Sequence, residues 1–333
     1  MRTAVAVAAS VFVFLCLSAG SAAQDGRAAA PSTPSSYPPY VRPVSTYVPP
    51  RTPDGQPDIS GLYLGIPLPR GIETPLVPLP SRGPNRANSE FSYSLNERPK
   101  LPAGAIARPV GVNPPDGKIP LTPEALARRK EIIANQDKVE YLDGRVLCLA
   151  LTVPRTTIPA PVVGYHIFQK PGYVVIFYEQ NHMYRTIPLD GRPLLDPKIR
   201  KATGVSRGHW EGNVLVVEVT NFTTNLSNNW VIGALSATPG VAAESLTTGH
   251  GIPHSEWYRV TERYTPIDAN TIHYEATLDD PKVFTQPWTI AYYAFARAPK
   301  DYVPVEYACL EGNDKNLQLM TNTDISDIRV NVP

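Results

Sequence analysis

The stretch from Val205 to Ile290 restricts the possible folds more than any other part of the chain. It reads VSRGHWEGNVLVVEVTNF and, after a loop, HSEWYRVTERYTPIDANTIHYEATLDDPKVFTQPWTI. Short β-branched and aromatic runs broken by Gly-Asn, Asp-Ala-Asn and Asp-Asp-Pro are the pattern of consecutive antiparallel strands joined by tight turns. Val214 to Val219 is apolar on both faces, which suits a strand buried on both sides. The pattern fixes an architecture and leaves the chemistry open.

Strand-like runs recur outside this stretch. Tyr165 to Gln169, Tyr173 to Tyr178 and Met183 to Leu189 precede it, with turns near Asn181 and at Asp190-Gly191. Val214 to Val219, Trp257 to Tyr264, Thr271 to Leu278, Trp288 to Phe295 and Val305 to Cys309 complete about eight strands. That number lets an antiparallel sheet close into a lipocalin-like barrel with a ligand-sized interior; a sandwich is the alternative. The expected fold is therefore all-β and mainly antiparallel, over residues 141–333. Residues 223–253 form a long connection of the kind that covers a barrel mouth.

The region before the barrel reads differently. The chain holds 37 prolines, and residues 24–58 form a flexible or polyproline-like tether. Residues 59–140 read as an extended Pro-rich arm with one helix at about 123–135. Thr122 is its N-cap, Pro123 its first residue and Glu124 an acid near its positive end. Residues 1–23 have a basic start, an apolar run from Ala4 to Leu17 and small residues at Ser21-Ala22-Ala23, as in a secretory signal peptide. The run is too short to span a bilayer. The expectation is a secreted or periplasmic protein with no membrane span after removal of the signal.

A formal net charge of +1 without a Lys/Arg block gives no footprint for nucleic acid. Beyond the signal, Cys148 and Cys309 remain. In an exported chain they invite one disulfide, worth on the order of 4–5 kcal/mol for so long a loop; two buried thiols are the alternative. They make a poor zinc site, and neither a metal nor a cofactor is expected.

Four segments resemble a family of uncharacterised secreted bacterial proteins. They are Gly208-His209-Trp210-Glu211-Gly212-Asn213-Val214-Leu215, the run His254 to Tyr264, the run Asp279 to Thr289, and Tyr307-Ala308-Cys309-Leu310-Glu311. The recurring text of that family is close to G-R-W-E-G-D-T-L-V-V-E-T, and the resemblance covers roughly residues 51–312. It implies export and brings no activity. His209 stands where the family has Arg, and Asn213 where it has Asp.

Chemistry, if present, belongs to a few positions. At the hairpin after Tyr178, Glu179 could orient His182 as a general acid or base, and Arg185 could hold a carboxylate. The plainer reading is an exposed turn with a weak salt bridge. The segment Gly249 to Glu256 holds His250 and His254, but Gly251 and Pro253 oppose a helical zinc motif. His254 could cap a strand or face the barrel mouth. Glu262 lies between Tyr258, Val260 and Tyr264 on one strand face and needs a partner, with Arg185, Arg259 and Arg263 available. On the next strand Thr271, His273, Glu275 and Thr277 form a polar face, either solvated or lining a cavity. His209, Trp210, Trp257, Tyr258, Tyr274 and Trp288 are candidate binding residues, and the tryptophans are core packing or carbohydrate platforms.

Three functions follow. One is a lyase, isomerase or hydratase acting on a small or glycan-derived molecule through His182, His254, Glu179, Glu262 and Arg185. The second is a non-catalytic binding protein for an apolar or sugar-like ligand. The third is an envelope scaffold. Convergence of the ionisable groups in one cavity separates the first from the others.

Overall fold

The computed structural model describes residues 39–65, 110–135, 138, 141, 148–157, 164–224, 251–304 and 306. The signal segment, the start of the tether, most of the 223–253 connection, His250 and Cys309 lie outside the described residues, and with Cys309 the expected bridge from Cys148.

Among the described residues, ten strands, one α-helix and the 3-10 turn Gln180–His182 make up the regular structure. The strands and helix run β1 (Gly61–Gly65), β2 (Gly111–Asn113), α1 (Pro123–Ala134), β3 (Gly164–Lys170), β4 (Tyr173–Tyr178), β5 (Met183–Pro188), β6 (Val205–Glu211), β7 (Val214–Thr220), β8 (Arg259–Pro266), β9 (Thr271–Asp279) and β10 (Trp288–Arg297). One sheet takes the order β5-β4-β3-β1-β10-β9-β8-β7-β6, every neighbour antiparallel, with β2 paired to β10. The sheet curls into a nearly closed barrel, compatible with the lipocalin-like expectation.

Three strands depart from the sequence reading: β6, β1 and the short β2, which like β1 lies within the Pro-rich arm. β6 carries the period-two pattern that its neighbours show, but its inward residues are Ser206, Gly208 and Trp210, too mixed to read as an apolar face. β1 lies within the Pro-rich arm yet fills the gap between β3 and β10, pairing Tyr63 with Tyr165 and with Arg297. The strand expected from Trp257 begins at Arg259.

The β6–β7 hairpin turns on Gly212-Asn213, with Glu211 paired to Val214. Gly212 sits at φ 61°, the left-handed geometry that a two-residue hairpin requires and a side chain resists.

The two ends of the sheet, β5 and β6, meet through side chains. Arg185 Nε donates to Ser206 Oγ at 2.9 Å. A methyl group added at Gly208 would fall 2.7 Å from Ile187 and 2.9 Å from Leu189, so glycine sets how closely the strands approach.

Register shows which residues point inward. Val217, Glu262, Ala276 and Ile290 form one row, and Leu215, Tyr264, Tyr274 and Tyr292 the next. At this level the ligand-sized interior expected from strand number is filled by rings. Tyr264 and Tyr274 lie 5.1 Å apart, Tyr165 and Phe295 4.9 Å, and Tyr274 and Tyr292 5.9 Å, mostly edge to face.

The helix occupies the expected span, and Thr122 accepts from the Ala125 amide at 3.2 Å. Among its described side chains Ala125, Arg129 and Ile132 are buried, while Leu126 is 42% exposed. Thr122 N donates to Val283 O, which ties the helix to the segment between β9 and β10. Among the described residues no helix is long and apolar enough to cross a membrane.

Candidate functional site

Arg185 and Glu262 come together inside the barrel, one from β5 and one from β8. Arg185 Nη1 donates to Glu262 Oε1 at 3.1 Å, and Nη2 donates to Oε2. The hydroxyls of Tyr264 and Tyr274 donate to the same Oε1 at 2.9 and 2.8 Å. The two charged side chains are 2% and 0% exposed. Burial works against the arginine's charge, but Glu262 and the surrounding tyrosines outweigh it and hold its pKa well above the ordinary value. Burial, followed by the Glu262 charge, raises Tyr264 and Tyr274 well above the usual phenol value. Of the three arginines available to Glu262, the fold selects Arg185; Arg263 faces outward and pairs with Glu211.

The other acid–base candidates lie elsewhere. Glu179 is buried, but its Oε2 accepts from Gly164 N at 2.8 Å and Tyr302 OH at 2.7 Å. His182 is exposed in a single 3-10 turn at φ 48°. The only described link between these two is backbone, His182 N to Glu179 O at 3.2 Å. The structure therefore does not join Glu179, His182, Arg185, His254 and Glu262 into one site.

His254 packs near Phe222 and Tyr258, with ring centres 6.0 and 5.2 Å away. Its Nδ1 lies 3.2 Å from Ser255 O, and burial lowers its pKa. Beside it, fully buried Asp280 accepts from Ser255 N at 2.6 Å and Ser255 Oγ at 2.8 Å. Ser255 Oγ in turn accepts from Trp257 N at 3.1 Å. This chain of bonds fixes a turn that leaves Trp257 half exposed.

The remaining aromatic candidates are mostly core. Tyr258 is buried and donates to Val153 O at 2.9 Å. Trp288 is buried and meets Phe284 at 5.6 Å. Trp210 is partly buried against the core, and His209 is exposed with Nε2 3.3 Å from Glu211. Trp257 is the tryptophan candidate that faces open space.

Two clefts adjoin on the outer surface. One, of about 750 Å³, lies where β7, β8 and the Trp257 turn meet the connection after β5; Arg200, Glu218, Asn221, Glu256, Trp257 and Arg259 line it. Arg200 reaches Glu256 at 3.0 Å. Asn221, at φ 55°, places its side-chain amide 3.1–3.3 Å from the carbonyls of Leu195, Asp196 and Ile199, which shapes the far wall. The other, of about 470 Å³, follows the β5–β6 seam. Leu194 borders both, and the Arg207–Glu218 pair stands between them.

Sequence reasoning missed one polar cluster. Residues 39–58, read as part of a tether, lie against the barrel wall. Arg42 Nε donates to Glu275 Oε2 at 2.9 Å, Tyr40 OH donates to the same oxygen at 3.0 Å, and Tyr40 stacks on His273 at 6.4 Å. The outer face of β9 at His273 and Glu275 is thus buried, neither solvated nor lining the interior. Asn213 accepts from Arg51 at 3.0 Å and donates to Tyr47 O at 3.3 Å. An aspartate there could accept from Arg51 but could not donate to Tyr47 O.

Among the described residues no three His, Cys, Asp or Glu side chains gather as metal ligands. Comparison of the chain with protein-family models, with curated proteins and with solved structures finds no match.

Proposed function

We propose that the protein is a non-catalytic binding protein that holds a sugar-like ligand in the cleft beside Trp257. The observation that carries this reading is a 50%-exposed indole opening onto a cleft of about 750 Å³. A pyranose has an apolar C–H face, which packs on an aromatic ring, and a rim of hydroxyls, which needs donors and acceptors. Arg200, Glu218, Asn221 and Glu256 supply both kinds around the indole. The Ser255–Asp280 bonds hold the turn in place before a ligand arrives, which lowers the ordering cost of binding.

Acid–base catalysis draws less support. Arg185 and Glu262 are closed off from solvent and satisfy each other, while His182 stands apart on the surface. The leader-like first 23 residues support a periplasmic or secreted location for the binding protein.

The test is calorimetric titration with a panel of neutral oligosaccharides, alongside quenching of Trp fluorescence. At least one saccharide is expected to bind, and Trp257→Ala to weaken it by about tenfold or more, a change of roughly 1.4 kcal/mol. Binding that survives Trp257→Ala unchanged, or no saccharide bound at millimolar concentration, overturns the reading.

A further inference from the structure

The geometry points to a second ligand site, in the seam cleft between β5 and β6, that takes an organic anion: a carboxylate or phosphate group on an apolar body. The walls of this cleft carry Arg192, Lys201 and Arg207, with buried Arg185 at its base, and no carboxylate. The acidic partners of the three arginines, Glu262, Asp190 and Glu218, all lie outside the lining. Three of the positive charges are thus already ion-paired, and the lining itself contributes no negative charge.

Lys201 is the group left for a ligand. Its side chain has no hydrogen bond or ion pair among the described residues, while its backbone is held firmly. Lys201 N donates to Asn221 O, and Lys201 O accepts from Gly204 N and Thr223 N, each at 3.0 Å. A fixed backbone presenting a free ammonium in one cleft with the half-exposed Arg192 and Arg207 makes a local site at which a small anion can be held. The lining also has an apolar component. Tyr184 is 70% exposed and Leu195 42% exposed, and Pro188 and Leu194 complete it. A volume of about 470 Å³ lies within the size range of small-molecule sites. The ligand class therefore combines one anionic group with a short apolar chain or ring.

Calorimetry on the mature protein with octanoate, octyl phosphate, octanol and inorganic phosphate tests this. Octanoate or octyl phosphate, or both, should bind, and should weaken by about tenfold or more in Lys201→Gln and at high salt. Which of the two binds more tightly identifies the anionic group. Octanol and inorganic phosphate should each bind about tenfold more weakly or not at all. Lys201 is exposed, so Lys201→Gln is expected to melt like the wild type, and Arg192→Gln provides a second variant with the same expected loss. Octanol binding as tightly as the anions, inorganic phosphate matching octyl phosphate, or anion binding unchanged in both variants overturns the proposal. So does the absence of any binding at millimolar concentration. Trp257→Ala leaves octanoate and octyl phosphate binding intact, which keeps this test separate from that of the sugar-like ligand.

Discussion

Two glutamates on neighbouring strands are each met by an arginine and by tyrosine hydroxyl, one inside the barrel and one outside. Glu262 faces Arg185, Tyr264 and Tyr274, and neither charged side chain of that pair exceeds 2% exposure. Glu275 faces Arg42 and Tyr40; the carboxylate is 4% exposed, but Arg42 is 53% exposed. The chemistry is nearly the same, and the difference is whether the cation has water to return to. Inside, removing one partner strands the other in a low-dielectric interior. Outside, Arg42 can rehydrate and carry its segment away from the wall.

The sharpest way to break this comparison is to remove one member of the inner pair. Glu262→Gln or Arg185→Met should cost about 3–5 kcal/mol in urea unfolding, because an unpaired charge stays buried. The double variant Arg185→Met/Glu262→Leu should recover most of that loss, a coupling that a double-mutant cycle reads directly. If Glu262→Gln is no more costly than Glu275→Gln, the inner pair is not sealed and the contrast fails.

An intermediate effect tests whether the outer cluster is covered. Burial beneath the arm, opposed by Glu275 and aided by Arg42, lowers the pKa of His273 from 6.5 to about 4. A base held below its ordinary value is neutral when folded and takes up a proton on unfolding. Its contribution is therefore complete above about pH 6.5 and is lost as pH falls toward 4. The loss is on the order of 3 kcal/mol. His273→Gln should flatten that part of the stability profile. An unchanged slope would mean that His273 is solvated and the arm is not seated.

Arg42→Gln should have the smallest effect on global stability, below about 1 kcal/mol, since its cation is largely solvated. Its readout is local: limited proteolysis between residues 39 and 58 should quicken while the barrel stays intact. Raising salt to about 0.5 M should do the same to the wild type, because screening reaches an exposed pair and not a sealed one. Equal protease resistance in Arg42→Gln and wild type would show that apolar contacts alone hold the arm.

Much of the barrel was legible because its strands advertise themselves by burial. β4, β7, β9 and β10 carry apolar or aromatic residues at every second position, β8 does so apart from Glu262, and the Gly212-Asn213 turn names its own geometry. β6 was not, because a strand that places serine, glycine and tryptophan inward lacks an apolar signature. β1 was hidden by its proline-rich surroundings. For Glu262 the need for a partner could be read from its position between aromatics, but choosing Arg185 required knowing that β5 lies opposite β8 across the interior. The Arg42–Glu275 contact spans 233 positions, and no local pattern encodes it. Lys201 escaped notice for a similar reason: an isolated lysine means nothing until the fold sets it in one cleft with Arg192 and Arg207.

The seam where β5 meets β6 has a consequence for how the bore can change. Elsewhere around the hoop, widening by one increment means shifting a ladder and turning every residue of a strand to its opposite face. Here the joint is bulk against bulk, Ile187 and Leu189 against Gly208. Trading those volumes resizes the ring while all nine ladders keep their register, so this weld is where the fold can be retooled most cheaply.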